Sequence, residues 1–170
     1  MHHRKTIPRI RALAALCCLA LLGAGACSRP TRGLVGAWRS NLQFQSGAFA
    51  SIKDLAFLYV FNEGGTMTES SNYDAAPPVA PAYGVWRQVG LGRFEAKYVF
   101  FVTKPPARLD EITAGAGWLP SGYGVLTESL QLAEDGQSFT STIAYEAFDA
   151  AGRQSPDGGR ATGRGVRIGF

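Results

Sequence analysis

The sequence predicts an all-β domain, a single eight-stranded antiparallel up-and-down barrel that follows a signal peptide. Three observations predict it. Short runs rich in Val, Ile, Phe, Tyr and Thr recur from Gly33 onward, separated by clusters of Gly, Pro, Asn and Asp. Tight-turn sequences join consecutive runs, which makes neighbouring strands antiparallel. No long helical pattern separates the runs, and closing eight strands into a barrel removes the exposed edges of a sheet.

The eight runs are short and bounded by turn residues. They cover residues 35–43, 52–62, 65–71, 83–89, 93–103, 122–132, 138–148 and 161–169. The turns at 62–65, 90–92 and 134–136 each contain glycine, which tolerates the positive φ of a tight hairpin. The glycine-rich segment 154–159 is interpreted as a flexible turn only.

Alternation along the runs predicts which side chains point inward, because successive side chains of a strand face opposite sides. The predicted ligand-lining residues are Phe57, Tyr59, Trp86, Tyr98, Phe100, Glu128 and Tyr145, with Trp118 on a long loop as a cap over the mouth. Two interpretations stay open. The aromatic side chains fill the barrel, or they surround a cavity, which the inward glycines Gly84 and Gly124 favour.

Two carboxylates fall on inward positions. Glu69 shares the parity of Met67, and Glu128 lies among leucines. A buried carboxylate needs a partner or a raised pKa. Arg164 shares the parity of Val166 and Ile168 and is therefore a candidate partner. One interpretation is structural: the residues lie at strand ends in solvent, or they form an ion pair. The other is functional: they are polar anchors for a ligand, or one of them is a general acid.

Two long connections interrupt the meander, at residues 72–82 and 104–121. The first contains three prolines, too many for a strand. The second contains Leu109, Ile112 and Trp118, and its middle, 107–113, predicts a helical turn or two. Loops of this length in compact domains are usually lids, binding loops or disordered segments. The apolar side chains of the second connection argue against disorder.

Residues 1–26 have the pattern of a signal peptide. A basic head with four Lys and Arg residues precedes fifteen apolar or small residues, a run shorter than a membrane span. The small residues that end at Ala26 and precede Cys27 resemble the lipobox of bacterial lipoproteins. The resemblance implies lipidation of Cys27, a tether at 27–33 and a barrel at 34–170. We therefore expect an exported protein, anchored to the membrane by its N-terminal lipid, in the outer membrane and facing the periplasm. Simple secretion and an uncleaved anchor are the alternatives.

Composition excludes several functions for the chain that follows residue 26. Four of the seventeen basic residues lie within residues 1–26, so the rest of the chain has thirteen basic and thirteen acidic residues. A net charge of zero gives no reason to expect nucleic-acid binding. Neither His nor a second Cys remains beside Cys27, so Ser-His-Asp, Cys-His and the usual zinc sites are excluded. No catalytic residue, metal site or cofactor is assigned.

The sequence Gly36-Ala37-Trp38, together with Arg167, resembles the lipocalin and calycin pattern. That resemblance implies that a Gly-x-Trp motif closes one end of the barrel and that a late arginine lies across the Trp ring. Further segments, between residues 34 and 168, are similar to an uncharacterised group of lipocalin-like bacterial proteins. They are Phe61…Gly65-Thr66, Tyr83-Gly84-Val85-Trp86, Leu132…Asp135-Gly136…Phe139-Thr140 and Val166-Arg167-Ile168.

The leading functional hypothesis is binding of a small hydrophobic or amphipathic ligand inside a lipid-anchored barrel of the cell envelope. The alternative is a protein-binding envelope module that acts through its long loops, as periplasmic lysozyme inhibitors are also small barrel lipoproteins. A third class is an isomerase or cyclase that uses Glu69 or Glu128. The missing histidine places it last.

Overall fold

The computed structural model describes residues 33–73, 81–108, 110–115 and 117–170. Its strands are β1 (Gly36–Phe44), β2 (Leu55–Phe61), β3 (Thr66–Ser71), β4 (Ala82–Gly90), β5 (Arg93–Lys104), β6 (Leu119–Leu132), β7 (Ser138–Asp149) and β8 (Gln154–Arg167), with one short helix, α1 (Asp110–Thr113). Consecutive strands pair antiparallel, and β8 pairs with β1 to close the barrel. The predicted fold class is confirmed. The predicted signal peptide and Cys27 lie outside the described residues.

All eight predicted strands are present, and the largest differences are at three strand ends. β2 starts three residues later than predicted, and β6 starts three residues earlier, at Leu119. β8 starts at Gln154, so the interpretation of 154–159 as a flexible turn was wrong. The backbone of Gly159 lies against Ser46, and that of Gly158 against Gly47. Glycine is needed here because two backbones approach closely, and it does not interrupt the strand.

The predicted hairpin turns are confirmed by their backbone. Gly64, Gly65, Gly92 and Gly136 all have positive φ, between 63° and 86°. That conformation is disfavoured for residues with a Cβ atom and nearly free for glycine. The glycines therefore set the short connections that keep neighbouring strands in register. The helix α1 lies within the segment 107–113, where a helical turn was expected.

The interior is layered from one end of the barrel to the other. The closed end contains Trp38, Phe61, Met67, Phe94, Leu132 and Phe139, all buried. The opposite end, which we call the mouth, is where β1, β3, β5 and β7 finish. Between them lies a layer with buried polar groups, which include Ser40, Tyr59, Tyr98, Glu128 and Ser141. The same alternation that gives each strand an inward face thus produces an apolar floor and a polar middle.

Arg167 closes the end that contains Trp38. Trp38 and Arg167 are directly opposite each other on β1 and β8, and the guanidinium carbon lies 4.1 Å from the centroid of the indole ring. The guanidinium donates to the carbonyl oxygens of Gly136, Val35 and Gly33 at 2.7–2.9 Å. One side chain therefore ties the chain before β1 and the β6–β7 turn to the end of β8.

Gly36 makes room for this arginine. Its φ is +131°, and a Cβ atom there would lie 2.7 Å from the Nη1 atom of Arg167. Trp38 is fixed in turn, because its indole N–H donates to the carbonyl of Leu34 at 2.8 Å and its ring packs against Phe139. The spacing of glycine and tryptophan in the sequence is thus explained by one compact contact.

Two parity interpretations need correction. Arg164 is exposed on the outer face and does not pair with the inward carboxylates, because Gly163 and Gly165 take the inward positions of β8. The apolar Val166 and Ile168, which set the predicted parity, are exposed. Gly165 leaves room for the ring of Phe139, and Gly163 for the hydroxyls of Ser141 and Ser40.

The interpretation of Gly84 and Gly124 as signs of a cavity is wrong. A Cβ atom on Gly84 would lie 2.2 Å from the carbonyl oxygen of Lys97, and Gly124 is equally enclosed. A Cβ atom there would lie 2.4 Å from the ring of Phe100 and 2.7 Å from that of Tyr145. These two rings stack, with centroids 5.9 Å apart. The space of the missing side chain is therefore filled by aromatic neighbours.

Within the described part of the chain, no helix is both long and apolar enough to cross a membrane.

Replacing the closing arginine tests its contribution to stability. Arg167→Ala removes the cation–π contact and three charge-assisted hydrogen bonds, so we expect the free energy of unfolding to fall by about 2 kcal/mol, measured by urea denaturation. The matched control is Arg164→Ala, which removes an exposed arginine three residues earlier on the same strand and should change stability by less than about 0.5 kcal/mol. Equal losses for both variants would contradict a special role for Arg167.

Candidate ligand-binding site

A cavity of about 540 Å³ opens at the mouth of the barrel. Its volume lies within the range of about 300–1,000 Å³ that is typical of small-molecule sites. Inward side chains line it, among them Phe44, Leu55, Phe57, Phe100, Leu126, Tyr145 and Ala147, together with Phe49 from the β1–β2 loop. The two interpretations left open by the sequence therefore apply to different halves: the closed end is filled, and the mouth contains a cavity.

Aromatic rings form a continuous wall on one side of this cavity. Tyr145 is its centre, with ring centroids 5.3 Å from Phe49, 5.9 Å from Phe100 and 6.3 Å from Phe44. Phe49 also contacts Tyr73, at 5.9 Å. Offset and edge-to-face packing of this kind stabilises aromatic clusters beyond the burial of their surface.

Phe49 is a site residue that sequence reasoning missed. It lies in the β1–β2 loop, outside every strand, so alternation gives no information about it. The loop is nevertheless fixed, because Gln45 donates through its backbone to the carbonyl of Arg160 and Ala48 to that of Asp157. The available signal was a single aromatic residue among small ones at 46–51.

Glu69 is a cavity-lining carboxylate near the polar middle layer. The residue is 6% exposed and lies directly across from Tyr59 in the β2–β3 pairing. Side chains at directly opposite positions of an antiparallel pair have Cβ atoms about 5 Å apart. Glu69 therefore places a nearly buried carboxyl group in the lining of the cavity, as its inward parity predicted.

Glu128 lies one layer deeper, at the centre of a buried polar cluster. It is completely buried, and its Oε2 atom accepts hydrogen bonds from the hydroxyls of Tyr98 at 2.9 Å and Tyr59 at 3.1 Å. Its Oε1 atom and the Ser141 hydroxyl face each other without a hydrogen bond of good geometry, and neither has another partner among the described residues. Ser40 contributes a further buried hydroxyl, also without a partner in the described segments.

Burial dominates the electrostatics of this cluster. It raises the pKa of Glu128, an effect that the neighbouring Ser141, Tyr98 and Tyr59 hydroxyls partly oppose. Burial also raises the pKa values of Tyr59 and Tyr98 well above 10.0, and the negative charge of Glu128 adds to the effect. At the mouth, burial and the charge of Asp157 raise the pKa of Tyr145 to about 12. All three tyrosines therefore remain neutral hydrogen-bond donors at physiological pH.

The structure brings only some of the predicted ligand-lining residues to the cavity. Phe57, Phe100 and Tyr145 border it. Tyr59, Tyr98 and Glu128 point inward but lie below it, in the polar middle layer. Trp86 packs at the closed end against Phe61 and Phe94, and its indole N–H donates to the carbonyl of Asn62 at 3.0 Å.

Trp118 does not border the cavity that it was expected to cap. It is half-buried directly before β6, and its indole N–H is buried with no acceptor among the described residues. The prediction for Trp118 assumed that the long loop folds over the mouth. Instead β6 begins at Leu119, where Lys104↔Leu119 and Thr103↔Pro120 extend the β5–β6 pairing.

A larger depression, of about 890 Å³, lies on the outer face of the barrel. Most of its lining residues are polar by type, and they include Asn41, Gln43, Thr140, Thr162 and Arg164. The mouth cavity is the better candidate site because it is more enclosed and combines apolar walls with few charged groups. Across the described residues, no group of three or more His, Cys, Asp or Glu side chains is arranged to hold a metal ion.

Comparisons with known proteins give no relative for this chain: family models, curated proteins and solved structures were searched without a match.

The buried carboxyl predicts a pH dependence of stability. The native pKa of Glu128 is raised above the ordinary 4.5, so the unfolded state releases its proton first as pH rises. The native state then binds more protons than the unfolded state, and this contribution to stability falls from about pH 4.5 up to the raised pKa. In Glu128→Gln the loss is absent, because an amide does not ionise and its oxygen still accepts from both tyrosines.

The measurement is urea unfolding of both proteins at several pH values between 4 and 8. We expect Glu128→Gln to gain stability relative to the original chain as pH rises through this window. Glu134→Gln, in the exposed β6–β7 turn, is the matched control and should show no such gain. A constant difference between Glu128→Gln and the original chain at every pH would show that Glu128 is ionised in the folded barrel.

Proposed function

We propose that this protein is a lipid-anchored, lipocalin-like binding protein of the bacterial cell envelope, which holds a small hydrophobic or amphipathic molecule in the mouth of its barrel. The observation that carries the proposal is the division of the interior. One end is packed with aromatic and aliphatic side chains, whereas the mouth keeps a cavity of about 540 Å³ with an aromatic wall and a nearly buried carboxylate. Such a lining suits a mainly apolar ligand with one polar end.

Two further features support the proposal. The contact of Arg167 across Trp38 is the arrangement that the lipocalin resemblance implies. Among the described residues, apolar side chains and the β1–β2 loop border the cavity at this end of the barrel, which suits the apolar part of such a ligand. Removal of apolar ligand surface from water stabilises such a complex by about 25 cal/mol per Å² before the costs of binding are subtracted.

Blocking the entrance tests ligand binding. The neutral dye N-phenylnaphthylamine should fluoresce strongly when it enters the apolar cavity of the full-length chain. Ala48 is exposed at the rim of the cavity, so Ala48→Trp should place an indole ring across the entrance and weaken dye binding by about tenfold, which corresponds to about 1.4 kcal/mol.

The matched control is Ala133→Trp, a substitution at an exposed position in the β6–β7 turn, at the closed end. It should leave dye binding unchanged. Absence of saturable dye binding to the original chain, or equal binding by both tryptophan variants, would count against a ligand site at the mouth.

The lipid anchor is tested separately. Cells that express the protein are supplied with an alkyne analogue of palmitate, and the purified chain is examined for the label. We expect label on the original chain and none on Cys27→Ser, because the thiol of Cys27 is the proposed attachment point. Label that persists in Cys27→Ser would remove this part of the proposal while leaving the binding site intact.

A protein-binding module is the second candidate, and one observation favours it. Tyr83 and Phe101 are 63% and 72% exposed on the outer faces of β4 and β5, and Val99, directly opposite Tyr83, is also exposed. Apolar side chains grouped in this way often mark contact surfaces. Stoichiometric capture of one envelope protein by the original chain, lost in Tyr83→Ser combined with Phe101→Ser, would support this candidate.

A further inference from the structure

The charged side chains among the described lining residues of the mouth cavity all have the same sign. The described lining residues include Glu69, Asp149 and Asp157, and none of them is a lysine or an arginine. Asp149 forms an ion pair with Arg153 at 2.8 Å, so its charge is compensated outside the cavity. Asp157 lies at the exposed rim, where the Ser155 hydroxyl donates to it at 2.5 Å. The most strongly buried of the three carboxylates is that of Glu69.

Aromatic rings border the same space, and each ring face that is exposed to it adds negative potential. Phe44, Phe49, Phe100 and Tyr145 are in mutual contact beside the cavity. The face of an aromatic ring carries the negative part of its quadrupole, and a cation within about 6 Å of a ring centroid is attracted to it. Groups of aromatic rings are the usual surroundings of bound quaternary ammonium groups in proteins.

The effect on ligands of different charge follows from these two observations. A carboxylate head group would approach Glu69 and Asp157 with no basic side chain among the described lining residues to compensate it. A neutral head group would gain little from the negative potential of the carboxylates and the aromatic rings. A cationic head group would be attracted by the carboxylates and by the ring faces, in a partly enclosed site where water screens the charges less than at the open surface.

We propose that the mouth cavity selects cationic amphiphiles, molecules with a single alkyl chain and an ammonium head group, over fatty acids and neutral lipids. This inference rests on the proposed function, since it names the ligand class of the same cavity. The alkyl chain packs against Phe57, Leu126 and Ala147, and the ammonium group lies between the aromatic wall and a carboxylate.

The experiment compares three ligands that share one ten-carbon chain: decyltrimethylammonium, decanol and decanoate. Each displaces N-phenylnaphthylamine from the full-length chain, at concentrations below micelle formation and at fixed pH and salt. We expect decyltrimethylammonium to bind at least about tenfold more tightly than decanoate, with decanol between them. The trimethylammonium head cannot donate a hydrogen bond, so a preference for it reports charge and ring contacts.

Two isosteric variants identify the groups responsible. Glu69→Gln and Asp157→Asn each remove one negative charge from the lining, and each should bring the affinity for decyltrimethylammonium closer to that for decanol while the decanol affinity stays the same. Glu134→Gln removes a charge from the closed end and should change neither affinity. The Asp157 variant is at an exposed position, so it remains informative if Glu69→Gln destabilises the fold.

The possible results separate this inference from the proposed function. Equal affinity for all three amphiphiles, tighter binding of decanoate, or cation binding that neither Glu69→Gln nor Asp157→Asn weakens would overturn the charge selection while leaving a ligand site at the mouth. Failure of both the dye and every amphiphile to bind would overturn the proposed function itself.

Discussion

The contact between Trp38 and Arg167 is the constraint on which the rest of the barrel depends. β1 and β8 are the first and last strands, and they must pair for the sheet to have no edge. Arg167 joins them at one end by lying over the indole ring and donating to three backbone carbonyls. The β1–β8 register, from Trp38↔Arg167 to Phe44↔Ala161, follows from this point. Since side chains alternate strictly, one fixed pair decides which residues of both strands face inward.

The same closure explains why the barrel has a filled end and an open end. Around Trp38, large inward residues meet inward glycines of β8, so that Phe139 occupies the space beside Gly165. Toward the mouth, the aromatic rings of Phe44, Phe49, Phe100 and Tyr145 pack against one another on one side of the barrel. The remaining space is the cavity. The polar layer between the two halves contains Glu128 with the two tyrosines that donate to it. The chain thus separates a closely packed core from a region that encloses a cavity.

Much of this arrangement could be predicted from the sequence, because alternation and turn chemistry are local. The apolar alternation of 55–61 and 94–100 identified inward faces, and the glycines at 64–65, 92 and 136 identified the hairpins. Glu128 was placed among inward residues for the same reason. The inward face of β8 was harder to predict. Val166 and Ile168 are apolar but lie on the outside of the barrel, whereas the inward positions include Gly163 and Gly165, which have no side chain.

The features that escaped prediction depend on contacts between distant segments. Gly124 reads as open space until Phe100 and Tyr145 are known to converge on it. The ring of Phe49 reaches the mouth through a loop, where no periodicity applies. The glycines at 158–159 have the pattern of a turn in the sequence. In the structure they allow close contact between the backbone of β8 and the β1–β2 loop, which lies more than a hundred residues earlier in the chain. The residue pattern within one strand cannot predict contacts with such distant segments.

The close approach of Gly47 to Gly158 has a consequence for the freedom of the β1–β2 loop to move. A Cβ atom on Gly47 would lie 2.3 Å from the carbonyl oxygen of Gly158, so the lip formed by the β1–β2 loop is clasped to β8 and has little freedom to swing open as a unit. For the ligand proposed above, entry would therefore proceed past a fixed lip, beside the half-buried ring of Phe49.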